Sequence, residues 1–157
     1  MHYYATTPSP LGELRLLASP LGLAGIYFPD HKHLKWQATW RYAPQDALLL
    51  RATEQLQDYF AGRRKCFDLP LDLSQGSAFQ QEVWRALLTL AFGQTCSYSA
   101  LAQKIGRPKA IRALGAANGR NPLSIVVPCH RVIAANGDLQ GYAGGLENKQ
   151  YLLNLEK

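Results

Sequence analysis

The sequence predicts an α+β protein: a small N-terminal antiparallel sheet with a helix, followed by a mostly helical C-terminal domain that contains a helix-turn-helix. Three observations carry this prediction. Apolar and polar residues alternate within residues 2–28, as in half-buried strands. Apolar residues recur at helical spacing through residues 45–60 and again from about residue 76. Two short helical segments then sit on either side of Gly106. The soft boundary falls at residues 72–76, which gives an N-terminal domain over 1–74 and a C-terminal one over 75–157.

In the first half, Leu14, Leu16 and Ala18 alternate with Arg15 and Leu17, and Leu21–Phe28 follows a Ser19-Pro20 turn signal. Pro8-Ser9-Pro10-Leu11-Gly12 marks another turn. Residues 29–44 hold His31, His33, Trp36 and Trp40 in polar company and read as an edge strand or an irregular loop. Leu49, Ala52, Leu56, Tyr59 and Phe60 share one helix face, with Gly62 as its stop. Phe67, Leu69, Leu71 and Leu73 alternate with Asp68, Pro70 and Asp72, predicting a short edge strand.

In the second half, Ser77 and Gln80 form a capping box that opens a helix with Phe79, Val83, Leu87 and Leu90 on its apolar face and Gly93 at its end. A second helix begins near Ser97–Ser99, carries Leu101, Ala102 and Ile105, and stops at Gly106. Pro108 suits the first turn of a third helix over residues 108–118. Asn121-Pro122 breaks that helix. Leu123–Val127 reads as an apolar strand that delivers the chain to Pro128-Cys129-His130-Arg131. Asn136-Gly137 signals a tight turn, residues 141–145 a glycine-rich loop, and Leu146, Lys149, Leu152, Leu153 and Glu156 one face of a last helix.

Composition narrows the function classes. The 157 residues are 47% apolar and 18% charged, an ordinary globular balance. No apolar run is long enough to span a membrane, and Met1–Thr6 lacks the basic-then-apolar pattern of a signal peptide. Cys66, Cys96 and Cys129 are an odd number without close pairs, which points to reduced thiols in the cytoplasm. A net charge of +6 fits either a basic surface or a polyanionic partner.

Where that charge sits favours the partner. On the third helix, Ile111 and Leu114 make a narrow core stripe. The adjacent face presents Lys109, Arg112, Ala113, Ala116 and Arg120, with Gly115, Ala117 and Gly119 adding little bulk. Small residues around a few cations let a helix lie close to a phosphodiester backbone, although the same face would also suit close helix–helix packing. Cys129 beside His130 is a candidate activated nucleophile, because thiolate is the reactive form and a neighbouring imidazole or positive charge raises its fraction at neutral pH.

Residues 76–156 resemble the catalytic domain of the O6-alkylguanine-DNA alkyltransferases, the methylated-DNA–protein-cysteine methyltransferases. The resemblance rests on Phe79–Trp84, Ser97–Ala102, Ala113–Asn118, Asn121–Ile133 and Gly141–Gly145, in one order and at compatible spacing. The N-terminal half is similar only through Ser9–Gly12 and Tyr59–Gly62, and the family implies a ribonuclease H-like fold there. The resemblance implies that Cys129 attacks the alkyl carbon on guanine O6 and keeps the group as a thioether. His130 is then the base, through a water, and Glu156 orients it. Asn121 braces the turn, and Tyr98 contacts the damaged base and its 3′ phosphate. Arg112 fills the hole left by the extruded nucleotide. Tyr142, with backbone of Val132, Ala143 and Gly144, lines the guanine pocket.

The implied partner is double-stranded DNA carrying alkylated guanine (and, as a second substrate, O4-alkylthymine), entered from the minor groove with the base flipped out. The protein would act as a monomer, once per molecule, without a cofactor. Ala143 stands where some members have serine, Asn118-Gly119-Arg120 differs from some members, and His2, His31, His33 and Cys66 lack the family's zinc spacing, so no metal is expected. Three alternatives are weighed against transfer. A non-catalytic alkylated-DNA-binding protein would lack Cys129, a thiol-based DNA-binding regulator would need a further N-terminal metal domain, and a Cys-His hydrolase would separate its cysteine and histidine.

Overall fold

In the computed structural model, which describes all residues except 33 and 138–141, the chain divides into two compact units, Met1–Asp72 and Leu73–Lys157. Strands β1 (Tyr3–Thr7), β2 (Leu14–Ser19) and β3 (Gly22–Tyr27) form an antiparallel meander in the first unit, because each is apolar and each connection carries turn residues. β3 is buried along its whole length. Helix α1 (Ala47–Phe60) packs on these strands, and Leu14, Leu16, Ile26, Leu49, Ala52 and Tyr59 are fully buried. Leu17, Ala24 and Tyr27 form a second cluster, covered by Tyr4, Leu34 and Trp40. Leu34 and Trp40 thus belong to the cover of a sheet face, in a stretch without a strand over residues 34–40. α1 starts at Ala47, two residues inside the expected start, where Asp46 caps it by accepting a hydrogen bond from the Leu49 N–H.

Two expectations for this unit change. The sheet is mixed, in the order β3-β2-β1-β4, because β4 (Arg41–Tyr42) lies parallel to β1. The chain leaves β3 and crosses back to the far side of β1, the long connection that parallel pairing requires. The expected strand at 67–73 shrinks to one bridge between Leu23 and Leu71, since Pro70 has no N–H to offer a ladder. The Gln55 side chain instead holds the segment, donating to the Asp68 carbonyl at 3.0 Å and accepting from the Asp68 N–H at 2.9 Å.

The second unit opens with α2 (Ala78–Leu87), whose Ser77–Gln80 capping box forms in full. Its inward residues are Val83, Trp84 and Leu87; Phe79 and Leu90 are only half-buried, and the helix ends well before Gly93. Strand β5 (Cys96–Ser97) pairs in parallel with β6 (Val132–Ile133). Between them run α3 (Tyr98–Lys104), capped by Ser97, and α4 (Ile111–Gly119). Gly106, at φ 75°, makes the turn between them. The third helix thus starts at Ile111 and not at Pro108, because Pro108 and Lys109 are used up in the turn that Ala110 N–H closes on the Arg107 carbonyl. Ile111 is 43% exposed, so the core stripe of α4 is Leu114, Ala117 and Asn118. Helix α5 (Leu146–Leu155) closes the unit. Among the described residues no helix is long and apolar enough to cross a membrane.

The largest departure from expectation lies at Leu123–Val127, which is a buried turn and not a strand. The Val126 N–H donates to the Ser124 carbonyl at 2.9 Å around Ile125, whose φ is 75°. This is the strained, positive-φ form of the γ-turn, unusual for a β-branched residue. A second turn of this size follows at Pro128, with φ −82° and ψ 62°, as the Cys129 N–H donates to the Val127 carbonyl at 2.8 Å. Two consecutive reversals bring the chain into a 3-10 turn over Cys129–Arg131. Cys129 and His130 therefore do not sit on extended backbone, as the strand reading implied.

Candidate active site

Asn121 is the first support of Cys129. Asn121 is 2% exposed; its side-chain Oδ1 accepts from the Leu123 N–H at 3.0 Å, and its Nδ2 donates to the Val127 carbonyl at 2.8 Å and to Cys129 Sγ at 3.1 Å. One side chain thus ties the end of α4, the strained turn and the sulfur together. Asn118, one helical turn earlier and equally buried, donates from Nδ2 to the Cys129 carbonyl at 3.4 Å.

His130 and Glu156 form the second half of the site. Nε2 of the fully buried His130 stands 2.8 Å from Glu156 Oε2. A carboxylate can only accept, so Nε2 carries the proton, and Nδ1 keeps its lone pair. Nδ1 makes no hydrogen bond to the described protein atoms. Glu156, the cap residue that ends α5, is 4% exposed, because Arg131 grips it too. Arg131 Nε donates to Oε1 at 2.8 Å and a terminal nitrogen to Oε2 at 3.0 Å, and the remaining one reaches the Leu90 carbonyl at 2.7 Å. Gly93 permits this approach. Its φ is 80°, and a Cβ there would lie 2.9 Å from the Glu156 carbonyl.

Burial sets the charge states. It pushes the Cys129 thiol up to about 11, against the Asn121 hydrogen bond and the Lys149 charge, which pull it down. The sequence expectation of a raised thiolate fraction at neutral pH is thus reversed in the free protein: desolvation outweighs the neighbours. Burial likewise lowers His130, opposed by Glu156 and reinforced by Arg131 and Lys149. It brings Lys149 down to about 8, opposed by Cys129. Burial thus favours the neutral form of both the thiol and the imidazole.

A stability consequence follows. The unfolded imidazole takes up a proton near its ordinary 6.5, while the folded one resists until lower pH. Stability from this group is thus present above pH 6.5 and lost as pH falls through the folded value. The denaturation midpoint should drop more steeply between pH 7 and 5 in the wild type than in His130→Gln, and parallel curves would contradict this origin.

Tyr98, the first residue of α3, is half-buried. Its phenol is raised by burial and by Cys129, with a hydrogen bond from Asn118 opposing. Lys149 Nζ lies 6.0 Å from its ring centroid and donates to the Val132 carbonyl at 2.7 Å. Val132 and Tyr142 are buried, and Ala143 and Gly144 are half-buried; Gly141 lies outside the described residues. Around Tyr98, the expected DNA face is only partly assembled. Arg112, Ala113 and Ala116 are exposed on α4, and Gly115 is half-buried. Lys109 is exposed but precedes the helix. Ala117 is a correction: it is 3% exposed, and its carbonyl accepts the Trp84 indole N–H at 2.9 Å, so it faces α2 and not a groove.

Arg131, Lys149 and Asn118 are the members of this cluster that sequence reading passed over. Lys149 had a signal, an inward register on α5 beside Leu152 and Glu156. The electrostatic signal of the whole unit was also in plain view. From Val83 to Gly137 the sequence holds Arg85, Lys104, Arg107, Lys109, Arg112, Arg120 and Arg131 and no carboxylate. All of these except Arg131 are exposed. Among the described residues no group of three or more His, Cys, Asp or Glu could hold a metal ion.

A helix-turn-helix with an exposed basic face, built into the same unit as a buried thiol, imidazole and carboxylate, defines a DNA-binding type of protein equipped for cysteine chemistry. The chain belongs to the 6-O-methylguanine DNA methyltransferase family: residues 78–157 match its DNA binding domain and residues 2–73 its ribonuclease-like domain. It is 48% identical to the methylated-DNA–protein-cysteine methyltransferase of Mycolicibacterium paratuberculosis, covering 98% of this chain and 92% of that one. It is 44% identical to the constitutive enzyme of that name from Bacillus subtilis, covering 100% and 96%. Its fold superposes on Mycobacterium tuberculosis OGT in a crystal structure with DNA at a TM-score of 0.91, with 45% identity and 99% and 92% of the two chains covered. The α+β class with a ribonuclease-like N-terminal domain, expected from the sequence, is borne out.

Proposed function

We propose that this protein repairs DNA by direct reversal, moving the alkyl group of O6-alkylguanine onto Cys129. The observation that carries the residue assignment is the buried Asn121–Cys129 contact beside a His130–Glu156 pair whose imidazole keeps Nδ1 open. His130 takes the thiol proton through a water as the S–C bond forms and the C–O6 bond breaks. Tyr98 donates to the guanine as it leaves with negative charge, an interaction that strengthens in the transition state. In net terms the thiol proton replaces the alkyl group on guanine. The thioether is stable, so each molecule acts once, without a cofactor, as a monomer in the reducing cytoplasm. Mixing the protein with excess duplex containing O6-methylguanine should restore at most one guanine per molecule; continued turnover would overturn the single-use reading.

The DNA side follows from the exposed face of α4. The helix enters the minor groove with Arg112, Ala113 and Ala116 leading, and the target nucleotide is flipped toward Tyr142, Val132, Ala143 and Gly144. Flipping costs a few kcal/mol, part of which Arg112 offsets by occupying the space left in the stack. Arg112→Ala should therefore slow repair of duplex DNA by on the order of tenfold, the equivalent of about 1.4 kcal/mol. Its reaction with free O6-benzylguanine should change little. Equal slowing of both substrates would remove Arg112 from the extrusion step.

A further inference from the structure

We infer that Arg131 is a positioning residue of the transfer reaction: by taking both oxygens of Glu156 it fixes that carboxylate against His130 and offsets its negative charge. The inference rests on the assignment of Cys129 and His130 above and adds the group that holds Glu156 in place.

Glu156 is the C-cap of α5, one residue past the last helical position, where backbone restraint is weakest. Arg131 supplies what the helix does not. Its two contacts of 2.8 and 3.0 Å are the fork that a guanidinium makes with a carboxylate and a lysine cannot. Its third arm, 2.7 Å from the Leu90 carbonyl, anchors the fork to the segment after α2, and the Phe92 ring lies 6.0 Å from its charge. Because Arg131 directly follows His130 in the 3-10 turn, the same turn presents both the imidazole and the cation that competes with it for one carboxylate.

The electrostatic consequence has a definite sign. A buried imidazole facing a lone carboxylate gains a proton readily, since the product is an ion pair. When an arginine already neutralises that carboxylate, protonation would leave a net positive charge in a site shielded from bulk solvent. The charged groups that act on the His130 ring are Glu156 and Lys149 from α5 and Arg131 from its own turn. Of these, only Glu156 favours the imidazolium. Arg131 thus offsets the one influence that would use up the base before substrate arrives.

The test is a 15N titration of the His130 ring in the DNA-free full chain, for the wild type, Arg131→Met and Arg131→Lys, combined with pH profiles of single-turnover reaction with O6-benzylguanine. In the wild type the ring should be neutral at pH 7 with its proton on Nε2. In Arg131→Met the titration should move up by about one pH unit, the size of effect expected from one nearby charge. The acid limb of the rate should move with it. Arg131→Lys should keep the limb near its wild-type position while lowering the plateau, since charge is retained and the fork is lost. A wild-type imidazolium at pH 7, an unmoved or lowered midpoint in Arg131→Met, or a rate loss uniform across pH would each overturn the inference. If Arg131→Met does not fold, the wild-type ring state and the Arg131→Lys profile still decide it. The ring titration needs no alkyl donor, so it separates failure of this inference from failure of the transfer reading.

Discussion

Cys129→Ala should abolish alkyl transfer while leaving affinity for O6-methylguanine duplex within about tenfold, or 1.4 kcal/mol, of the wild type. The asymmetry follows from where the sulfur sits. Cys129 is 4% exposed, and its side chain contributes nothing to the exposed face of α4. The Asn121 Nδ2 that donates to it keeps the Val127 carbonyl at 2.8 Å, so removing the sulfur strands no buried donor. The folding cost is that of deleting one small buried group, about 1 kcal/mol. Transfer, by contrast, has no substitute. Cys96 is half-buried on β5 with a thiol raised by burial, and Cys66 is exposed in the other unit. Single-turnover assays and equilibrium binding on one duplex check both halves. Residual transfer in Cys129→Ala would mean that another group accepts the alkyl.

Glu156→Gln should be the most damaging change that leaves the thiol intact. Glu156 accepts from His130 and twice from Arg131, all three contacts buried from bulk solvent. An amide cannot neutralise Arg131, so a buried guanidinium is left uncompensated. Breaking one partner of such a buried pair costs about 3–5 kcal/mol, a large share of the roughly 5–15 kcal/mol that holds an ordinary domain together. The same change removes the group that aims His130, and general-base assistance is worth about 10²–10⁴ in rate. The expected result is a clear fall in denaturation midpoint together with at least an about hundredfold slower transfer in the protein that remains folded. A variant with unchanged midpoint would show that the Arg131–Glu156–His130 cluster does not hold the second unit together.

Much of the fold was legible because its signals are local. The capping box at Ser77 and Gln80, the Ser97 cap, the stop at Gly106 and the period-two pattern of β2 each depend on residues within a few positions. What could not be read depends on distant partners. Leu123–Val127 has a strand's composition, yet Asn121 and Pro128 fold it into two tight turns, and composition cannot reveal a positive φ at Ile125. Ala117 belongs to the small-residue stripe by sequence, but the Trp84 indole claims its carbonyl from another helix. Pro108 is permitted both in a helix's first turn and in the loop before it, and the Arg107–Ala110 hydrogen bond selects the loop.

The site divides along the same line. Cys129 and His130 were marked by their adjacency, whereas the role of Asn121 came through the resemblance. Glu156 was promoted only through resemblance, because its burial is made by Arg131, 25 residues away in the chain. Lys149 offered a weak signal, a cation at a core-facing register of α5, which a strict hydrophobic pattern passes over. The activation state of the thiol was misjudged for a related reason. A neighbouring imidazole or cation pulls the thiol down, but here burial from bulk solvent pushes it up by more.

Burial pushes the Cys129 thiol up and the His130 imidazole down, and the carboxylate that favours the imidazolium is already engaged by Arg131. Reaction then depends on the substrate supplying an alkyl carbon in line with the sulfur.

The most direct measurement is intact-protein and peptide mass spectrometry after reaction with excess duplex carrying a single O6-methylguanine. The expected result is one added methyl per protein, located on the peptide that contains Cys129. An unchanged mass with preserved lesion binding, or a methyl located on Cys96 or Cys66, would contradict the assignment of Cys129 as the acceptor.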